Sequence, residues 1–379
     1  MDKILIAGDF CPQARVAHFF EKKKFEIVLG GVKEVVSGAD YSIVNFECPV
    51  TYGGELPIEK CGMNLQCSEE GAEAVRWAGF DCVTLANNHF YDFGEKGVDS
   101  TLKALSKFGI NTVGGGKNLR EASEILFKDI AGEKLAIINC CEHEFSIATE
   151  TSGGANPLNS IQQYYKIKEA KKTADYVLVI VHGGNEYYQL PSPRMKETYR
   201  FFIDAGADAV VNHHQHCFSG YEVYNEKPIF YGLGNFCFDE KNNYGRLWNE
   251  GFVVELGLQA KGVTFNLIPY LQCADSPSVK LLNQQESELL KEKIRELNAI
   301  IADETELQKR YSAFVEHSLS SVDFLFEPYS GRIAKGLYRR HLLPSIINDK
   351  RKLLLQGFIQ CESHLPKIMK FLTNRKGDA

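Results

Sequence analysis

Five short polar clusters interrupt the first 240 residues, each placed where an apolar, β-rich run stops. Gly8-Asp9 follows KILIA, Asn45-Phe46-Glu47 follows YSIV, and Asn87-Asn88-His89 follows CVTLA. His182-Gly183-Gly184-Asn185-Glu186 follows YVLVIV, and Asn212-His213-His214-Gln215-His216 follows DAVV. In an α/β sheet the functional crevice lies outside the carboxyl ends of the strands. Five such ends bearing Asp, Asn, Glu and His therefore predict one shared site.

The intervening segments fit this reading. Apolar runs predict strands over 3–9, 135–141, 176–181, 208–211 and 228–231, then alternating strands over 251–258 and 263–268. Helices are expected through 18–20 and over 68–78, 97–108, 161–174 and 194–205, with Ser68 as an N-cap and Gly79 as a stop. Strand and helix alternation gives an α/β class, and the late run of strands adds antiparallel members. After Ser276-Pro277-Ser278 the texture becomes charged and periodic, with Leu289, Leu290, Ile294, Leu297 and Ile301 at helical spacing. We therefore expect a main domain over 1–275 and a helical, basic appendage over 276–379.

The charge is uneven. Residues 332–379 hold eleven Lys or Arg against Asp349, Glu362 and Asp378, a balance of +8 within a chain whose net charge is -6. A solvated helical face is one reading; the other is a surface for an anionic polymer or membrane headgroup. Nucleic acid is not among the expected partners. The amino terminus, MDKILIAGDF, lacks a basic leader, and no run approaches the roughly 20 apolar residues of a transmembrane helix. A location in the cytoplasm or at the periphery of the membrane follows as the expectation. The eleven cysteines are scattered, which favours reduced, buried thiols over a disulfide framework.

A hydrolytic metal site needs carboxylate, amide and imidazole ligands converging from several loops. Asp9 ends the first buried strand, where an unpaired carboxylate is costly without a cation. Asn88 offers a carbonyl oxygen, and His89 beside it offers an acid or an electrophile. His182 follows the most apolar strand, with Glu186 adding a carboxylate. His214-x-His216 has alternating spacing, so an extended backbone would aim both rings the same way. Five of the ten histidines fall in these clusters. Cys140, Cys141 and His143 supply a weaker alternative, a cysteine nucleophile, without a matching oxyanion loop.

Several ordered motifs resemble the capsule-synthesis CapA family of the poly-γ-glutamate type, itself similar to the calcineurin-like metallophosphoesterases. They are Asp9 with Arg15, Asn45-x-Glu47-x-Pro49, Ala86-Asn87-Asn88-His89-x-x-Asp92-x-Gly94, and His182-x-Gly184-x-Glu186-Tyr187, followed by His214-x-His216 and Tyr231-Gly232-Leu233-Gly234-Asn235-Phe236. The resemblance covers roughly residues 1–270. It implies a four-layer αββα sandwich with metals at the strand ends. It also implies Asp9, Glu47, Asn88, His182, His214 and His216 as ligands of one or two divalent transition metals, Mn, Fe or Zn. His89, Arg15 and Glu186 would then serve the chemistry, with Arg15 pairing a substrate anion. Where the phosphoesterases open with Asp-x-His, this chain has Asp9-Phe10-Cys11, which implies a leaner ligand set at one position. Two functions fit: a metal-dependent hydrolase acting on a phosphoester or amide-like bond of an anionic envelope polymer or its precursor, or a non-catalytic polymer-binding component of capsule assembly.

Overall fold

Strand β1 (Asp2–Cys11) is apolar on both faces, and its residues divide between two cores. Ile4 and Ile6 enter one, while Leu5 and Ala7 enter another. A strand buried on both sides must lie inside a sheet covered above and below. The computed structural model, which describes residues 2–60, 62–240, 246–259, 262–326, 329, 331–352 and 355, supplies both covers.

The first sheet has eight strands. Strands β2 (Tyr41–Phe46), β3 (Cys82–Thr84) and β4 (Asn111–Val113) follow β1 in parallel. On the other side of β1 lie β14 (Glu250–Gln259), β15 (Gly262–Gln272) and β16 (Val279–Leu281), all antiparallel to their neighbours. The second sheet is ordered β11 (Tyr221–Tyr224), β12 (Lys227–Phe230), β10 (Ala209–His213), β9 (Tyr176–His182), β7 (Glu133–Cys141) and β6 (Leu126–Ile130). Its four inner strands are parallel, and the edge strands β6 and β11 are antiparallel. Strands β5 (Gly115–Gly116) and β8 (Gly154–Ala155) form a separate short pair.

Alternation of side chains along these strands builds the layers. On β9, Leu178 and Ile180 join Ile4, Ile6 and Ile43 in a core between the two sheets. Val177, Val179 and Val181 face the opposite way, against α6 (Ser160–Ala170) and α7 (Pro193–Ala205). Outside the first sheet, α1 (Ala14–Glu21), α2 (Phe25–Ser37), α3 (Glu69–Ala78) and α4 (Gly94–Lys107) bury their apolar faces over Leu5, Ala7 and Val44. Helices, sheet, sheet and helices make the four-layer αββα sandwich. Local signals agree with it. Gly79 takes the left-handed conformation, φ 105°, that ends α3, and Asn159 and Ser192 cap α6 and α7 through their side chains. Short helices α5 (Leu119–Ala122) and α8 (Arg246–Asn249) lie in connections.

The domain boundary differs from the expectation. The chain divides after Gln308, so β16 and α9 (Gln284–Ala302) belong to the first unit. The reason is apolar: Leu290 and Ile294 of α9 enter the core between the sheets, and Ile301 enters the core beneath α7. The start of α10 (Glu304–Phe326) is tied to the same unit by Lys196, a buried side chain whose Nζ lies 2.6 Å from Glu304 Oε1. The second unit, 309–379, is described through the remainder of α10 and α11 (Arg332–Arg339). The part of the predicted basic segment at 353–354 and 356–379 lies outside the described residues. The nine described cysteines are free and buried, in accord with reduced thiols.

One join positions everything that follows. Strand β14 pairs with the first half of β1, through Ile6, and β13 (Asn235–Phe238) takes over at Asp9. The exchange occurs at Gly8, where a Cβ would stand 1.8 Å from the Gly234 carbonyl oxygen. Gly8→Ala should therefore destabilise the fold by roughly 1–3 kcal/mol or more, as overpacking does. Urea unfolding of the variant checks this, and an unchanged midpoint would mean that the join is not tight.

Candidate metal centre

The strand-end clusters converge because the carboxyl ends of β1, β2, β9 and β10 open on one side of the molecule. At Gly8 the register of β1 against β2 slips, so that Asp9 pairs with Asn45. The same point brings Asp9 against Asn235 of β13. Within the second sheet, His182 at the end of β9 pairs with His213 at the end of β10. Beyond β10 the chain turns through two residues of positive φ, His214 at 91° and His216 at 54°. The two rings are thus aimed by a turn, not by the extended spacing expected from the sequence. Such backbone is uncommon for residues other than glycine and persists where surroundings hold it.

Two ligand groups result. Glu47, His182 and His214 each offer an atom within 4.8 Å of the others, and so do Asp9, Glu47 and His216. Glu47 belongs to both. Its carboxylate is fully buried, and neither oxygen has a hydrogen-bond partner. Glu47 Oε1 stands 3.6 Å from His182 Nε2 and 3.7 Å from His216 Nε2. Asn88 Oδ1 lies 3.0 Å from His182 Nε2, and His214 Nδ1 lies 3.1 Å from the same atom. Several potential donor atoms for a metal crowd these points, and a divalent cation among them would satisfy the Glu47 oxygens that have no other partner. The fit of these residues to two cations rests on that bare, shared carboxylate.

Surrounding amides fix the ligand orientations. Asn235 donates from Nδ2 to the carbonyls of His216 and Trp248, so its Oδ1 accepts from His216 Nδ1 at 2.9 Å. That bond leaves His216 Nε2 as the lone-pair nitrogen. Asn45 donates to Asp9 Oδ1 at 2.7 Å and lies 3.2 Å from His182 Nδ1, while its own Oδ1 accepts from Thr84 and Asn87. Asp9 Oδ2 accepts from the His214 backbone N–H at 3.2 Å. Such supporting partners usually matter nearly as much as ligands.

Burial dominates the electrostatics. It pushes the Glu47 carboxyl well above its ordinary range, reinforced by the nearby Asp9 charge, and it raises Asp9 against the opposing pull of His216. Burial and neighbouring imidazoles hold His182 far below its ordinary value, and His214 falls to about 3. His216 is lowered by burial as well. Neutral imidazoles are the ligand form, whereas protonated carboxyls are not. His213 turns away, donating Nε2–H to the Ala7 carbonyl at 3.0 Å, and serves the framework.

A pocket opens beside the centre, lined by Asn88, His89, Glu144, Glu186, Tyr187, His216 and Trp248 among others. His89 Nδ1 is held 2.7 Å from Asp92 Oδ2, and the buried Lys60 pairs with Asp92 and reaches His89 Nδ1 at 3.1 Å. Glu186 lines the pocket from an exposed loop, and partial burial raises its carboxyl. Arg15 has a different partner from the substrate anion expected. Its Nη2 lies 2.8 Å from Asp239 Oδ1 and reaches the Cys273 and Ala274 carbonyls, tying α1 to the end of β15. The fork is satisfied by that carboxylate and those carbonyls, so it braces the framework.

Asp9, Glu47, Asn88, His182, His214 and His216 thus come together, with His89 and Glu186 at the pocket. Sequence reasoning did not single out Lys60 or Glu144 as functional, nor Asn235 as the residue that orients His216. Lys60 comes from the long loop between β2 and α3, well past the strand end, and Glu144 directly follows His143 of the group read as a cysteine alternative. Asn235 carried a signal: it closes the Gly232-Leu233-Gly234 run, where close backbone approach is expected.

Several known proteins are similar to this chain. The profile of the family described as "Bacterial capsule synthesis protein PGA_cap" matches residues 3–240. Similar curated proteins include the "Capsule biosynthesis protein CapA" of Bacillus anthracis, 35% identical over 243 residues, covering 62% of this chain and 59% of that protein. The "PGA biosynthesis protein CapA" of Bacillus subtilis is 33% identical over 236 residues, covering 62% of each. A "Probable polyglutamine synthesis accessory protein" of Mycobacterium tuberculosis is 27% identical over 247 residues, covering 60% of this chain and 62% of that protein. The chain spans about three-fifths of the length of these relatives. Among solved structures, a putative 5'-nucleotidase from Staphylococcus aureus aligns with a TM-score of 0.44 at 12% identity, covering 78% of this chain and 58% of that one.

Because Glu47 holds its proton more tightly than an ordinary carboxyl, a cation must displace it, and binding should release protons. Affinity should therefore fall as pH falls through the raised Glu47 range. Calorimetry in buffers of different ionisation enthalpy reads the released protons directly; heats that do not depend on the buffer would contradict the raised carboxyl.

Proposed function

Because the chain belongs to the bacterial capsule synthesis protein family PGA_cap, we propose that it is a metal-dependent hydrolase of capsule or poly-γ-glutamate synthesis. The bond cleaved is a phosphoester or an amide-like bond in an anionic envelope polymer or its precursor. The names of the Bacillus relatives supply the polymer class. The observation that carries the reaction type is Glu47, whose two bare, buried oxygens are shared by both ligand groups.

In this reading Asp9, Glu47 and His216 would hold one cation, and Glu47, Asn88, His182 and His214 would hold the other. Mixed imidazole, amide and carboxylate donors suit Mn, Fe or Zn better than Ca or a thiolate zinc. When bound, such ions supply Lewis acidity toward a phosphoryl or carbonyl oxygen and acidify water at neutral pH. The protein's own groups do the rest. Asp92 holds His89 by Nδ1, so Nε2 is the nitrogen left to protonate a leaving group at the pocket. Lys60 pairs with Asp92 and steadies that dyad. Glu186 and Glu144 face the substrate from the pocket wall. Arg15, bound to Asp239, takes no direct part.

A second reading is favoured by the word "accessory" in the mycobacterial relative's name: a non-catalytic assembly component that keeps a metal site. Elemental analysis and turnover of generic phosphodiesters separate the two. Glu47→Gln should lower metal content at both positions and cut turnover by more than about 100-fold, beyond the loss usual for a supporting residue. His214→Ala combined with His216→Ala should abolish metal binding while the protein stays folded. Metal retained without turnover would favour the assembly role. No affinity for Mn, Fe or Zn would remove the hydrolase reading.

A further inference from the structure

We propose that α11 and residues 340–352 after it form an interfacial anchor that lies on an anionic membrane surface. Ile333 and Leu337 are one turn apart and so share a face of α11, as Arg332, Lys335 and Arg339 share another. Ile333 is 81% exposed and Leu337 38%, and no residue from 331 to 352 is buried. Leu342, at 66%, continues the apolar exposure past the helix. The same stretch holds seven Lys or Arg against Asp349 alone.

Exposed bulky apolar residues beside a dense cationic face suit a lipid interface, which offers hydrocarbon at one depth and phosphate at another. A free polyanion would use the arginines and lysines but leave Ile333 and Leu337 in water. A protein partner would need its own matching acidic rim and apolar groove, whereas an anionic bilayer presents both everywhere. No described helix is long and apolar enough to cross a membrane, so the contact lies along the surface. With few apolar residues on a short helix, affinity depends on both terms together, and attachment is reversible.

The test uses the full chain and vesicles of phosphatidylglycerol or of phosphatidylcholine alone. Binding should favour the anionic vesicles by at least about tenfold and fall as ionic strength approaches ~1 M, where the screening length is about 3 Å. Arg339→Gln with Arg340→Gln should weaken binding roughly 30-fold, at about fivefold per basic residue. Leu337→Trp should report insertion by a blue-shifted emission, quenched by brominated lipid, that appears with the anionic vesicles. Equal binding to both vesicle types, or no blue shift, would overturn the proposal. Retention on poly-γ-glutamate resin without vesicle binding would assign the segment to the polymer and overturn it too. So would a lowered melting temperature for Ile333→Asp with Leu337→Asp, which would mean that this face packs on the protein itself.

Discussion

The close approach of β1 to the Gly234 carbonyl is the constraint on which the remaining architecture depends. At Gly8 the strand exchanges one neighbour for another without leaving the sheet. Before that point β1 is an ordinary inner strand, apolar on both faces. After it, the slip in register turns Asp9 toward Asn45 and Asn235, and a buried carboxylate appears at the edge of two cores. A side chain at position 8 would push β13 away, and with it the amide that orients His216. A single missing Cβ thereby links sheet topology to ligand geometry.

Two carboxyls and four imidazoles, His182, His213, His214 and His216, sit at or near full burial within this region. Left alone, the carboxyls take up protons and the imidazoles give them up, because low polarity disfavours charge of either sign. The protein has gathered groups whose preferred neutral states leave several oxygens and nitrogens without partners. Folding tolerates the arrangement because the surrounding amides of Asn45, Asn87 and Asn235 satisfy the outward-facing atoms. Among the ligand groups, what remains unsatisfied is the pair of Glu47 oxygens. Unpaired buried polar atoms cost on the order of 1–3 kcal/mol each, so the region is least stable by itself and gains most from a bound cation.

Much of this was legible in the chain. Apolar runs ending in polar clusters marked β1, β2, β3, β9 and β10, and the residues at those ends are the ones that converge. Periodicity also located α3, α4, α6 and α7. Less legible were α2, whose apolar residues crowd both faces, and the short strands β6, β13 and β16, whose existence depends on partners distant in sequence. The appendage boundary was misread because α9 carries many charges, yet its Leu290, Ile294 and Ile301 reach two cores. Charge counts describe the solvent side of such a helix, whereas its place in the fold is set by three apolar residues. The His214-x-His216 spacing showed which residues would act together, but left-handed backbone does not follow from spacing. Arg15 illustrates the converse: a motif residue whose geometry serves the framework.

The buried thiols lend themselves to a different use. Cys11, Cys48 and Cys67 lie in the core beneath α1 to α4, Cys82 lies between the sheets, and Cys140 lies beneath α6 and α7. Each layer boundary thus carries its own silent reporter, since a thiol sealed from solvent reacts with an alkylating reagent at the pace at which its layer opens. The order in which these cysteines become modified would chart which interface of the sandwich parts first, without adding any label to the chain.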